Sequence, residues 1–275
     1  MINKENINPI GIGTFNIDID DRKKTMEALM YSYEHGQNYI DTSYIYDSGR
    51  TLMFLKDFFN NINRDNIFIS TKVSKTIDTF ADIEKQLDKN LELMGLDYVD
   101  SLSLHTPFVT KFPLDETYNE MEKLVKKGKV RFLGISNATV DDMKKIEKSN
   151  AKLFSFEGLY NLECKTYEDN GVIEYTKNNN IIYICYQALR RNRTAMQNYP
   201  LLVGLSKKYD KSQNQIILNW IVKEKRLNLI LKSTTLSNIK ENIASVDFSL
   251  EKEDVKRLNE FKNDSLDALN IDIQK

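Results

Sequence analysis

RFLGISNATVDDMKKIEKSN, residues 131–150, changes character halfway along. It opens with an apolar run, RFLGIS (131–136). Thr139 then precedes a charged, helix-like segment, with Asp142 three residues on, the spacing of an N-cap and its reciprocal acid. The stretch reads as strand, turn and helix, one β/α unit. Seven other apolar runs have the same look: IGIGT (10–14), NYIDT (38–42), IFISTKV (67–73), SLSLH (101–105), LFSFEGLY (153–160), IIYICYQAL (181–189) and LNLILKS (227–233). They are rich in Ile, Leu, Phe and Tyr, as strands buried on both faces are.

Helical patterns lie between them. Residues 20–36 begin with aspartates and end at Gly36, and Met26, Leu29, Met30 and Tyr33 fall on one predicted apolar face. Residues 81–95 and 114–128 follow the same scheme, each closing on glycine. Eight strands alternating with helices predict an α/β fold with a parallel sheet and right-handed crossovers. The 275 residues give about 34 per unit, which fits a single-domain (β/α)8 TIM barrel over 1–275. The competing architecture, a doubly wound sheet, carries a third glycine after its first strand; GIGTFN lacks it.

Composition narrows the function. With 39 basic and 40 acidic residues the formal net charge is -1, so no global basic excess points to nucleic acid. MINKENINPIG holds no apolar core of a signal peptide, and no run approaches a membrane span. Cys164 and Cys185 fit no zinc or redox spacing, and His35 and His105 are the only histidines, so no metal site is expected. The expected setting is a reducing cytoplasm, with no membrane or nucleic-acid partner.

In a barrel, the C-terminal strand ends form the active face. Here those ends carry Asp41, then Thr71 and Lys72, then His105, then Ser136 and Asn137. Glu157 and Tyr160, Tyr186 and Gln187, and Lys232 and Ser233 complete the rim. Singly, each has a plain structural reading: a solvated lysine, a histidine bonded to a carbonyl, an aspartate capping a turn. Together they describe a chemistry. A buried Lys–Asp pair keeps the lysine charged, and that cation draws a neighbouring phenol's pKa down toward working pH. A phenol so tuned can protonate a carbonyl oxygen that a neutral histidine orients.

These residues resemble the aldo-keto reductase superfamily from Gly11 to about Phe261. GIGTF (11–15) is similar to the family's G-x-G-T-aromatic opening, and DTSYIY (41–46) to its D-T-A-x-x-Y motif. STKV supplies Lys72, SLHTP (103–107) supplies His105, and GKVRFLGISN (128–137) and KSTTLSNIKEN (232–242) resemble two further signatures. The resemblance implies NADPH-dependent reduction of a small-molecule carbonyl to an alcohol by a monomer. Tyr46 would be the general acid, Lys72 its tuner, Asp41 the holder of Lys72, and His105 the substrate-positioning group. NADP(H), with NAD(H) as the lesser choice, would be held by Gly13, Thr14, Ser136, Asn137, Glu157, Tyr186, Gln187, Leu189, Lys232, Ser233, Thr234, Asn238, Glu241 and Asn242. Tyr186 would stack on the nicotinamide and Lys232 would meet the 2′-phosphate.

The chain also departs from the family pattern. Glu157 replaces a glutamine; as an ionised acid it accepts hydrogen bonds but donates none, and adds negative charge. Asp47 replaces a glycine after Tyr46. Arg190, Arg191 and Arg193 stand in the seventh loop, either clamping an anion or lying solvated. A short tail over about 262–275 implies an open pocket without a long specificity loop. Two other functions compete: a catalytically weak, NADP(H)-binding regulatory barrel, and an isomerase or aldolase using Lys72 as a Schiff-base nucleophile.

Overall fold

The computed structural model describes residues 3–262; the expected C-terminal tail therefore lies outside the described residues beyond Lys262. Eight parallel strands close on themselves in sequence order. They are β1 (Ile10–Gly13), β2 (Tyr39–Asp41), β3 (Phe68–Val73), β4 (Val99–Leu104), β5 (Val130–Ser136), β6 (Leu153–Leu159), β7 (Ile182–Tyr186) and β8 (Asn228–Leu231). Pairing of β1 with β8, Ile10 opposite Leu229, seals the ring. Each strand coincides with one of the eight apolar runs.

The helices form the outer layer. They are α1 (Arg22–Glu34), α2 (Arg50–Phe59), α3 (Ala81–Met94), α4 (Leu114–Lys126), α5 (Val140–Ile146), the short α6 (Thr166–Asp169) and α7 (Val172–Asn178). After β7 come α8 (Arg193–Met196), α9 (Pro200–Tyr209) and α10 (Gln213–Asn219), and after β8 come α11 (Leu236–Ile243) and α12 (Lys252–Glu260). The box predicted at Thr139 is present: its hydroxyl accepts from Asp142 N while the Asp142 carboxylate accepts from Thr139 N. Helix α4 buries Leu114, Thr117, Tyr118, Met121 and Leu124, one stripe at helical spacing, and the Tyr118 hydroxyl donates to Gly134 O at 2.7 Å. Helix α1 corrects the predicted face. It buries Thr25, Ala28, Leu29 and Ser32, while Met26, Met30 and Tyr33 flank the contact, half-buried. Small residues at the centre let the helix approach the barrel closely.

Inside the barrel the floor is aromatic. Phe68 stacks between Tyr39, Phe154 and Phe132, with ring centroids 5.3, 5.4 and 6.0 Å away. Above it the interior turns polar, with the buried serines Ser70, Ser103 and Ser155. Gly134 is required at this level, since a Cβ there would collide with the Ser103 and Ser155 hydroxyls. The register places Lys72 beside Ser103, one pleat above the Asp41–Ser70 pair. Charged side chains are thereby lifted off the aromatic floor toward the C-terminal face.

Candidate active site

Asp41 ends β2, Lys72 is the penultimate residue of β3, and His105 follows the last residue of β4. Tyr46 starts the turn after β2. The structure brings all four together, and adds Glu157 from β6. The Lys72 ammonium donates to Asp41 and, at 3.3 Å, to the Tyr46 hydroxyl; Glu157 Oε2 lies 3.2 Å from the same nitrogen. The Tyr46 hydroxyl in turn donates to Asp41 Oδ2 at 3.2 Å. Lys72 and Asp41 are 1% exposed and Glu157 6%.

Burial decides the electrostatics. It opposes the Lys72 charge, but Asp41, Glu157 and Tyr46 outweigh it, so the ammonium pKa lies well above its usual value. That is the reverse of what a Schiff-base lysine needs. Tyr46 departs from expectation. Burial first, then Asp41, pushes its pKa well above the usual phenol value, and Lys72 only partly offsets them. The phenol therefore keeps its proton at any working pH. His105 is lowered to about 4 by burial and by Lys72, so its ring is neutral. Glu157 is raised to about 8, by burial and then by Asp41. That direction favours the neutral carboxylic acid, the form that can donate a hydrogen bond.

A second network frames this core. His105 Nδ1 lies 3.4 Å from Ser74 Oγ, which is 2.5 Å from Ser43 Oγ. The Asn137 amide donates to His105 O at 3.1 Å and accepts from the Tyr186 hydroxyl at 2.6 Å, so both its ends are engaged. Phe15 packs edge-on against Tyr46, centroids 5.2 Å apart, and the Arg191 guanidinium lies 5.9 Å from the Phe15 ring. Sequence reasoning singled out neither Ser43, Ser74 nor Phe15; Phe15 alone had a signal, as the aromatic of GIGTF. Tyr44 is half-buried and receives Lys75 over its ring at 4.2 Å, outside the core.

The remaining predicted residues lie around this centre. Gly13 ends β1, and the buried Thr14 hydroxyl donates to Asp41 O at 2.9 Å. Ser136 Oγ is buried with no hydrogen-bond partner among the described residues. Gln187 adopts φ 57°, and Leu189 packs half-buried on the core. Lys232 and Asn238 are exposed and Ser233 and Thr234 half-buried, where β8 leads into α11. Asn242 is half-buried, and Glu241 accepts from Ser212, which caps α10. The three arginines separate. Arg190 pairs with the buried carboxylate of Glu163, so the solvated reading does not describe it. Arg191 reaches Phe15, and Arg193 is exposed at the start of α8. Two turns beside the mouth are left-handed over three successive residues: Asp47, Ser48 and Gly49, and Arg190, Arg191 and Asn192. Such backbone collects at functional sites.

The motif called aldo/keto reductase family matches residues 9–263. The chain belongs to the aldo/keto reductase family. Among curated relatives, the 9,11-endoperoxide prostaglandin H2 reductase of Trypanosoma cruzi is 27% identical over 258 residues, covering 93% of this chain and 88% of that one. Aldo-keto reductase family 1 member A1 of Bos taurus is 28% identical, covering 96% and 86%. Among solved structures, a thermostable aldo-keto reductase in complex with the inhibitor epalrestat superposes with a TM-score of 0.84 at 26% identity, covering 92% and 94%. An aldo-keto reductase complexed with NADPH gives 0.76 at 25% identity, covering 94% and 85%. No helix among the described residues is long and apolar enough to cross a membrane, and no cluster of His, Cys, Asp and Glu there could hold a metal ion.

Proposed function

We propose that this protein reduces a small-molecule aldehyde or ketone to the alcohol, with NADPH as reductant and Tyr46 as proton donor. One observation carries the reading: a protonated, buried phenol at the barrel mouth, hydrogen-bonded to a charged lysine that an aspartate holds. Tyr46 gives its phenolic proton to the carbonyl oxygen: the Tyr46 O–H bond breaks and the alcohol O–H forms. Lys72, already within 3.3 Å, stabilises the phenolate left behind, and Asp41 keeps Lys72 in place. Neutral His105 orients the same oxygen without competing for the proton.

The residues present fit the cofactor. The buried Ser136 hydroxyl has no hydrogen-bond partner among the described residues, and the half-buried Tyr186 ring is fixed through its hydroxyl to the next residue, Asn137. When bound, NADPH supplies the hydride. Ser136, Asn137, Glu157 and Tyr186 would hold its nicotinamide end, and Lys232, Ser233, Thr234, Asn238, Glu241 and Asn242 its adenosine end. Exposed Lys232 is the cation for a 2′-phosphate. Gly13, Thr14, Gln187 and Leu189 would line the way between. The two unpaired cysteines suit a reducing cytoplasm, and we read the active unit as a monomer.

The test is NADPH oxidation against aldehydes, dicarbonyls and quinones, with fluorescence titrations of NADPH and NADH. Turnover with tighter NADPH binding, the preference lost in Lys232→Ala, is the expected result. Tight NADPH binding without turnover of any carbonyl would overturn the assignment.

A further inference from the structure

Lys72 is asked to serve two acids. Asp41 reaches its ammonium from β2 and Glu157 from β6, strands on opposite sides of the ring. All three side chains are almost wholly buried. Two ionised carboxylates on one ammonium would leave a net negative charge in a low-dielectric interior, and like charges sharing one site do not both ionise cheaply. The neutral arrangement is one carboxylate, one ammonium and one carboxylic acid. Asp41 is the member that keeps the charge: it makes the tighter contact to Lys72 and accepts from the Tyr46 hydroxyl as well. Glu157 has the longer contact, and among the described ion pairs no cation other than Lys72 meets it.

We propose that Glu157 is a positioning residue for carbonyl reduction: as a neutral acid it leaves Lys72 to Tyr46, and its ionisation at alkaline pH draws Lys72 away and stops the reaction. The inference rests on the function proposed above. The proton leaves Glu157 for solvent base; no redox step is involved. The remaining carboxylate then competes with the Tyr46 oxygen for the Lys72 ammonium. It also places a second negative charge near the phenolate that proton donation creates. Both effects raise the barrier of the same step.

The groups facing Glu157 support this assignment. From β2 come Asp41 and Tyr39, from the following turn Tyr46, from β3 Lys72, and from β7 Tyr186. Its strand neighbour on β5, Ser136, is uncharged. The three tyrosines are all raised by burial and stay neutral, so none supplies a compensating charge in this range. The Glu157 carboxyl itself is raised to about 8, burial first and Asp41 second.

Two measurements on the full chain test the proposal. Infrared difference titration of the cofactor-free protein should show a protonated-carboxyl band that bleaches near pH 8 and is missing from Glu157→Gln. In steady state with saturating NADPH, wild-type kcat should fall about tenfold between pH 8 and 9.5, while Glu157→Gln changes by less than about twofold and substrate KM stays flat in both. Glu157→Asp, which keeps the acid, should restore a falling limb. A Glu157→Gln profile with the wild-type limb, or a band already absent at pH 6.5, would overturn the proposal while leaving the reductase reading intact. A normal infrared titration in a protein that reduces no carbonyl would instead remove that reading, and the proposed role with it.

Discussion

The barrel buries two charge clusters, one at each end, with opposite composition. At the N-terminal end Asp100 of β4 is fully buried between two arginines. Arg64 donates to one of its oxygens at 2.7 Å and Arg131 to the other at 2.5 Å, while Ile69 N adds a third bond at 2.8 Å. Both arginine side chains keep about a fifth of their surface in water, at 22% and 23% exposure. At the C-terminal end one lysine serves two acids and a phenol, and Lys72 has almost no contact with solvent. An acid between two cations has a partner for each of its oxygens. A cation shared by two acids and a phenol stands between competing acceptors. The first arrangement ties strands together; the second is the one through which the proposed reduction would move a proton, in keeping with the division of a (β/α)8 barrel into a stability face and an active face.

The sharpest way to break this comparison is at the proton itself. Tyr46→Phe removes one oxygen and leaves the aromatic packing on Phe15. We expect kcat to fall by ~10²–10⁴ with NADPH affinity and thermal midpoint nearly unchanged. Binding titration and calorimetry beside the kinetics check this; an active variant would sink Tyr46 as the donor.

At the other end the effect should be on stability alone. Asp100→Ala leaves two arginines facing each other and Ile69 N without its acceptor. The expected loss is ~3–5 kcal/mol in urea unfolding, with kcat/KM of the remaining folded protein unaltered. A large change in kcat would show that the two ends are coupled.

The next effect is smaller and has the opposite sign. Replacing both members of a buried ion pair by neutral groups of similar size is commonly neutral or stabilising, by ~1–4 kcal/mol. Asp41→Asn combined with Lys72→Met should therefore unfold no more easily than the wild type, although turnover is lost. If it unfolds like Asp100→Ala, the Lys72 cluster is a structural element after all.

How far the chain announces this depends on whether a feature is local. The eight apolar runs are local, and each became a strand; the Thr139 box, equally local, caps α5 as expected. The face of α1 was misplaced because apolar periodicity follows Met26 and Met30. Close packing on a barrel instead favours Thr25, Ala28 and Ser32 at the contact. The residues Asp41, Tyr46, Lys72 and His105 were legible because motif order lines them up on successive strand ends. Glu157 was legible as a departure, but the upward pull on its carboxyl was not, since that comes from burial and from Asp41, which only the closed barrel brings to it. The Asp100 cluster left no trace at all: Arg64, Asp100 and Arg131 come from three separate segments, the register of β4 and β5 setting Arg131 beside Asp100 while Arg64 reaches it from the turn before β3. The partner of Arg190 was hidden for the same reason, Glu163 belonging to the preceding loop.

A third group separates composition from burial. Arg50 serves two acids, Asp20 at 2.7 Å and Asp47 at 3.0 Å, the same count that Lys72 has, but all three side chains stand in water. Solvent screens these pairs, so the competition between acids that burial sharpens around Lys72 is weak here. Asp47 also sits at φ 50°, a backbone setting in which glycine carries no Cβ penalty. Asp47→Gly then gives up a screened ion pair and relieves left-handed strain, while adding flexibility to the unfolded chain. These small terms oppose one another, and the thermal midpoint should move by no more than about 2 °C. A larger drop would mean that the left-handed turn carrying Tyr46 depends on the Asp47–Arg50 contact. Two acids on one cation would then matter at the surface as they do inside, and burial would not be what sets the Lys72 cluster apart.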